Sequence, residues 1–354
     1  MKTGNRIDLL VVGAGPTGIS IGAEARRAGL STLLVDRGPL VAALLDFPVD
    51  MTFFTTRERL EVAGVPFTVP DDKPNRRQAI VYYQAVAKTY DLPIARHEDV
   101  VAIRPQADGE FLVETRSPAG PKSYEAGAVA VATGYFTNPK RLDVPGEDLP
   151  WVHARFRDPL THFGERVVVI GAGNSGAEAA LELFRHGAAV TLVHRGETPK
   201  ATIKYWVRPD LENRIAEGSI AARFGARVVG FVPGAVEIER AGGRELLACE
   251  AAYVLIGYEP ETGILASAGV PVDAATGVPA FDPATCETPV PGLFVAGTVQ
   301  AGKETHRIFI ENSRDHGPLI VRELLRRRGT SLAPGAGAPG DPRGGVRHST
   351  KESS

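Results

Sequence analysis

Residues 8–38 read DLLVVGAGPTGISIGAEARRAGLSTLLVDRG, and residues 166–196 read RVVVIGAGNSGAEAALELFRHGAAVTLVHRG. Laid over one another at an offset of 158 residues, the stretches are identical at twelve of 31 positions, including every glycine of a GxGxxG pattern. Self-similarity at a fixed offset signals a repeated supersecondary unit. Each copy opens with an apolar run suited to a buried parallel strand, turns on its glycines, continues as a helix and closes on a second apolar run, 32–35 or 190–193. A lone GxGxxG says little. One that follows a strand, opens a helix and ends at a second strand, twice over, predicts two βαβ dinucleotide-binding units.

The glycines have separate tasks. Gly13 and Gly171 permit the tight turn, Gly15 and Gly173 let backbone N–H groups approach a pyrophosphate, and Gly18 and Gly176 let helix and strand pack closely. With Pro16 and Thr17 in one copy and Asn174 and Ser175 in the other, they place the anion on a helix N-terminus, where unpaired N–H groups and the macrodipole favour negative charge. The copies diverge 18 positions beyond the last glycine. The first has Asp36, followed by Arg37; its carboxylate suits ribose hydroxyls and repels a 2′-phosphate. The second has His194 and Arg195, which predicts a pocket that accepts the 2′-phosphate of NADPH, with Lys200 and Lys204 adding charge.

The bulk numbers agree with two ligands. At 354 residues and 43% hydrophobic, the chain exceeds what one core usually supports. A net charge of −2 and the lack of a long basic run argue against nucleic acid. The two cysteines, Cys249 and Cys286, form neither a CxxC nor a metal-ligand spacing, which predicts a reduced, cytoplasmic protein without a metal. Met1–Ala23 has a basic tip and an apolar stretch, but Gly13, Gly15, Pro16 and Gly18 break it, so it is not read as a signal peptide. No apolar run reaches the ~20 residues that span a bilayer, and no membrane partner is expected.

Between the copies, 76–90 has helical spacing, and strand-like runs follow at 100–104, 111–115 and 124–132, the last ending in ATGY at 132–135. A turn-rich stretch from Asn138 to Asp148 reads as a linker. After the second copy, strand-like runs recur at 228–232, 235–238 and 252–256, the last ending in Gly257-Tyr258. Then come TPVPGLFVAGT at 288–298, a helical stretch at 307–327 and a tail from Gly329 whose composition predicts disorder.

The paired GxGxxG units, the ATG segment and PGLFVAG resemble the pyridine nucleotide-disulfide oxidoreductase superfamily, with a length close to thioredoxin reductases. MTFFTTRERLEVAGVPF at 51–67, ATGYFTNP, VPGED, KYWVRPDLENRI at 204–215 and IFIENSRDHG at 308–317 are similar to the bacillithiol-disulfide reductase (YpdA-type) family, over about Ile7 to Arg327. The resemblance implies an α/β protein of two Rossmann-like, three-layer domains of the glutathione reductase type. Residues 1–145 and 266–328 would bind FAD, 146–265, inserted between them, NADPH, and 329–354 would be the tail. It implies that Gly13, Gly15, Pro16, Thr17, Gly18, Asp36, Arg37, Thr52, Phe54, Thr133, Gly134, Gly297 and Thr298 serve FAD, and that Gly171, Gly173, Asn174, Ser175, Gly176, His194, Arg195, Lys204 and Gly257 serve NADPH. A homo-oligomer is implied as well.

Two departures from the family pattern stand out. Thioredoxin reductases usually carry Asp where this chain has Thr298, and the bacillithiol family typically carries a cysteine where it has Thr17. A threonine hydroxyl offers no thiolate and forms no mixed disulfide. WVHARFRDP at 151–159 holds no CxxC either. The expected chemistry is hydride transfer from nicotinamide to flavin, with the protein supplying alignment and electrostatics. Thr52–Thr55 and Gln300–Glu311 are the candidate flavin lining, with His306 a candidate proton donor and Thr17 at the position of the family cysteine. The acceptor stays open between a small disulfide, a small redox protein such as ferredoxin, and a quinone or oxygen. A redox sensor that binds both cofactors without turnover is the reading from another class. No FxGxxxHxxx motif lies between the fingerprints, which argues against a flavin monooxygenase.

Overall fold

In the computed structural model, which describes residues 6–305 and 307–329, every side chain of the strand β1 (Leu9–Val12) is buried. That is the signature of a parallel strand covered on both faces. The chain continues through α1 (Pro16–Arg27), β2 (Thr32–Asp36), α2 (Ala42–Leu45), α3 (Arg57–Leu60) and α4 (Arg76–Thr89) to β3 (Ile94–Arg96). It then forms the antiparallel strands β4 (Asp99–Pro105), β5 (Phe111–Ser117) and β6 (Gly120–Ala126) before returning as β7 (Val129–Val131).

The second unit comprises β8 (Val152–His153), β9 (Arg166–Ile170), α5 (Asn174–Arg185), β10 (Ala189–Val193), α6 (Arg208–Ala216) and β11 (Ala221–Arg223). The antiparallel strands β12 (Arg227–Val232), β13 (Ala235–Arg240) and β14 (Gly243–Ala248) precede β15 (Ala251–Val254). Then follow α7 (Gly263–Ser267), β16 (Leu293–Val295), α8 (Ile310–Ser313) and α9 (His316–Arg327).

The two parallel sheets have the orders β16-β7-β1-β2-β3 and β11-β10-β9-β15-β8. The repeat thus extends far beyond the 31 residues that reveal it, through four parallel strands and a three-stranded antiparallel sheet in each unit, while the fifth parallel strand comes from after the repeat in the first unit (β16) and from before it in the second (β8). Alternation along the strands builds the layers. Leu9 and Val11 face a core with Ile19, Tyr83 and Ile320 from α1, α4 and α9, while Leu10 and Val12 face Ile103, Phe111 and Val113 of the antiparallel sheet. In the second unit, Val167 and Val169 pack with α5, and Val168 and Ile170 with β12 and β13. β16 returns to the first sheet only after the whole second unit, so the second unit is an insertion.

The chain crosses between units twice, side by side: Pro139 and Tyr258 form an antiparallel bridge, Lys140 N–H donates to the Gly257 carbonyl at 3.0 Å and Glu259 N–H to that of Asn138 at 3.0 Å. Past this crossing Leu142 and Val144 pack with the second core, and Ile264 and Leu265 with the first.

Two sequence expectations need correction, and one strand went unread. The run 124–132 is two strands in different sheets, separated at Gly127–Ala128, where Gly127 N–H turns to the Ile7 carbonyl at 2.8 Å. The helix expected over 307–327 is two helices, α8 and α9, interrupted at Arg314–Asp315. β14 gave no apolar run because it lies at a sheet edge and is mostly exposed. The tail from residue 330 on and His306 lie outside the described residues.

Candidate active site

A continuous cavity of about 1780 Å³ is lined by both glycine turns. It opens at the carboxyl ends of the parallel strands, where doubly wound sheets bind their ligands. Every residue that the resemblance assigns to either cofactor lines it except Gly18 and Gly176, while of the wider flavin lining expected at 300–311 the described residues that reach it are Lys303, Thr305, Phe309, Ile310 and Glu311.

The glycines divide as their spacing predicts. A Cβ on Gly13 would stand 2.5 Å from the Ala132 carbonyl oxygen, and one on Gly18 1.9 Å from that of Gly13. Gly171 and Gly176 repeat this, at 2.4 Å from the Leu255 oxygen and 1.8 Å from the Gly171 oxygen. These four are demanded by the protein's own packing. Gly15 is different: nothing lies within 4 Å of the position of its missing side chain, and at Gly173 only the Lys200 stem comes near, at 3.8 Å. The protein leaves that space open above two helix N-termini, α1 and α5, neither of which has a side-chain cap. A diphosphate fits such a cradle. Thr133 adds a buried hydroxyl with no partner, on the cavity wall beside Gly134 and Thr298.

The strand ends differ in charge. The Asp36 carboxylate is pinned by Ala14 N–H at 2.7 Å and Gly38 N–H at 2.7 Å, which fixes it at the first cradle. The following Arg37 is engaged, donating to Glu261 at 3.1 Å and Thr137 Oγ1 at 2.5 Å. Its counterpart Arg195 makes no ion pair among the described residues and is exposed at the cavity rim, as is Lys200. Burial, then Lys200 and Arg195, hold the His194 imidazole below its ordinary pKa. The second rim therefore carries cations that pair with no carboxylate among the described residues.

Asn174 binds the loop that follows: its Oδ1 accepts from Lys204 N–H at 2.9 Å, and its Nδ2 donates to the Thr202 carbonyl at 3.3 Å. The Lys204 ammonium points among aromatic rings, Phe54 and Phe309 of the first unit and Trp206 of the second. A second inter-unit contact joins Asp46 to Arg157 and, at 3.7 Å, to Arg155.

Thr17 lines the cavity in the first turn of α1, sharing a hydrogen bond with Ser313 Oγ at 3.0 Å and lying against Gly297. The Nδ1 of His316, at the start of α9, accepts the Gly297 N–H at 3.0 Å. Sequence spacing gave no sign of it, of Ser313, or of Glu178, a cavity-lining carboxyl on α5 whose Oε1 is buried and unpaired. Gln300 turns inward, donating to the Val295 carbonyl at 2.7 Å.

Comparison with known proteins identifies the family. The family model for pyridine nucleotide-disulphide oxidoreductases matches residues 10–297. The bacilliredoxin reductase Bdr of Bacillus subtilis is 36% identical over 320 residues, 90% of this chain and 97% of that one. The chain belongs to the pyridine nucleotide-disulphide oxidoreductase family, among the bacillithiol-disulfide reductases. A solved bacillithiol disulfide reductase (Bdr, YpdA) from Bacillus cereus superposes with a TM-score of 0.88 at 33% identity, covering 91% of this chain and 100% of that one. A ferredoxin–NADP reductase of Ignicoccus hospitalis is 27% identical over 263 residues, 72% of this chain and 77% of its own length. The chain is an oxidoreductase with the two-domain dinucleotide-binding fold, and its cofactors are FAD and NADPH.

Proposed function

We propose that this reductase passes electrons from NADPH, through FAD, to a low-molecular-weight disulfide of the bacillithiol type, and that it does so in the cytoplasm. The observation that carries this reading is the single cavity shared by two cradles of different charge.

In this reading the N-terminus of α1, with Gly13, Gly15, Pro16 and Thr17, holds the FAD pyrophosphate and Asp36 its ribose. Gly18 acts indirectly, by letting α1 approach β1. Arg37 braces this rim, and Thr52, Phe54, Thr133, Gly134, Gly297 and Thr298 line the rest of the flavin's path. The N-terminus of α5, with Gly171, Gly173, Asn174 and Ser175, holds the nucleotide diphosphate, with Gly176 letting α5 pack and Gly257 lining the same cavity. Arg195, with His194 and Lys200, holds the 2′-phosphate, because unneutralised cations favour a charge-assisted contact. Lys204 fixes the loop over this site to the first unit. When bound, the flavin supplies hydride acceptance from the nicotinamide and delivery of electrons onward.

The chain's own thiols take no part. Cys249 and Cys286 are 2% and 1% exposed and neither lines the cavity. Burial, helped by Glu250, pushes the Cys249 thiol up to about 11, and burial raises that of Cys286. Since the thiolate is the attacking form, neither serves as nucleophile. The same observation favours a second reading, in which the acceptor needs no thiol at all, such as ferredoxin.

The test is NADPH oxidation by the purified holoprotein, offered bacillithiol disulfide or ferredoxin. Faster loss of nicotinamide absorbance with the disulfide, undiminished in a Cys249→Ser/Cys286→Ser variant, supports the first reading. Turnover with ferredoxin alone replaces it with the second.

A further inference from the structure

We infer that His316 is a positioning residue of the flavin site: by accepting the Gly297 N–H it holds the Gly297–Thr298 turn in register with α1. The inference rests on the assignment of the first cradle to FAD.

The backbone creates the need. Ala296 N–H still pairs with Val131 across the sheet, but at Gly297 the chain turns away with φ +75°, and its N–H leaves the ladder. A side chain here would stand 2.9 Å from Thr17 Oγ1, so the turn is pressed onto the first turn of α1. The N–H finds His316 Nδ1 at 3.0 Å. To accept, Nδ1 must carry its lone pair, so the ring is neutral and its proton sits on Nε2.

The balance of groups around His316 favours that form. Burial lowers its pKa, and it opens the twelve-residue helix α9, whose positive end disfavours a cation. Asp315 opposes this, while the neighbouring Arg314 guanidinium is turned to the Glu58 carbonyl at 2.7 Å. Residues 16–23 of α1 and 297–301 of the turn contain no charged side chain; on α8 the charged residue is Glu311, which lines the cavity.

The segment that carries the imidazole is also packed and hydrogen-bonded onto α1. A Cβ at Gly317 would meet the Ser20 backbone at 3.0 Å, Ser20 Oγ donates to the Arg314 carbonyl at 2.9 Å, and Ser313 pairs with Thr17. The start of α9 is therefore bound to the helix whose N-terminus forms the first cradle, and His316 carries that position across to Gly297 and Thr298. Protonated, the ring would present N–H against N–H and release the turn.

The test compares wild type, His316→Asn and His316→Leu for flavin retained after gel filtration, and for the visible flavin spectrum, between pH 5 and 8. Asparagine offers an acceptor oxygen near the Nδ1 position and does not titrate. The expected result is that His316→Leu retains flavin about tenfold less well, as loss of one buried hydrogen bond implies. His316→Asn should keep its flavin, and the acid release expected of wild type, where a protonated ring frees the turn, should be absent from it. A His316→Leu protein with full flavin and an unchanged spectrum overturns the inference. So does a His316→Asn protein that sheds flavin in acid as steeply as wild type, a comparison that decides the matter even if the leucine variant fails to fold. A wild-type protein that takes up no added FAD would instead remove the cradle assignment.

Discussion

The ammonium of Lys204, in the inserted unit, stands 5.5 Å from the ring centroid of Phe54 in the first. Phe309 at 5.5 Å and Trp206 at 5.9 Å complete the cage, and Phe54 and Trp206 meet edge-on with centroids 5.7 Å apart. Such contacts contribute about 0.5–2 kcal/mol each. Because the cage joins the units rather than the 2′-phosphate rim, Lys204→Met should weaken use of NADPH and NADH alike, by about threefold to thirtyfold in kcat/KM. Parallel steady-state titrations with the two nucleotides check this; a loss confined to NADPH would return Lys204 to the phosphate.

Arg195 should behave oppositely. Among the described residues it makes no ion pair, whereas Arg37 at the matching position is engaged by Glu261. Removing a charge-assisted contact costs about 1.5–3 kcal/mol. Arg195→Ala should therefore raise the KM for NADPH roughly tenfold to a hundredfold and leave that for NADH nearly unchanged. Equal losses with both nucleotides would count against a phosphate at this rim.

The central and last glycines of the first fingerprint should separate binding from folding. Gly15 has φ −80° and open space where a Cβ would go, so Gly15→Ala should leave the apoprotein's stability within about 1 kcal/mol of its parent while abolishing flavin retention. At Gly18 the new atom would lie 1.9 Å from a backbone oxygen, and Gly18→Ala should unfold at markedly lower denaturant. Urea melts of the flavin-free proteins, paired with absorbance after FAD addition, distinguish the two effects. Normal flavin uptake by Gly15→Ala would mean that the cradle is not where the diphosphate lies.

What sequence reveals here is what local spacing encodes. The glycine turn, the buried runs and Asp36 against His194 are read within 31 residues, because parallel strands and phosphate turns impose short-range rules. The break at Gly127 escapes that reading, since apolar residues continue on both sides and only pairing decides that β6 and β7 belong to different sheets. Likewise, nothing near His316 foretells Gly297, and Lys204 meets Phe54 and Phe309 only through the fold. The unequal fates of Arg37 and Arg195 turn on Glu261, more than 200 residues from Arg37.

Glu178 offers a test of the cavity's electrostatics without any ligand. Burial, then the like charge of Glu182, pushes its carboxyl up to about 7, with Lys204 opposing. The folded chain then holds a proton that the unfolded chain releases near the ordinary value of 4.5. Folding is thus favoured fully below pH 4.5, loses stability as pH rises from 4.5 to about 7, and loses no more above that. At about 1.4 kcal/mol per pH unit, that interval costs roughly 3 kcal/mol. Glutamine has the same shape and never ionises. Glu178→Gln should accordingly match its parent at pH 4.5 and exceed it by up to about 3 kcal/mol at pH 8. Urea denaturation of the apoproteins across that range measures the difference directly. A gap between the two that does not widen from pH 5 to pH 8 would show that the carboxyl reaches water or a cation rather than staying buried.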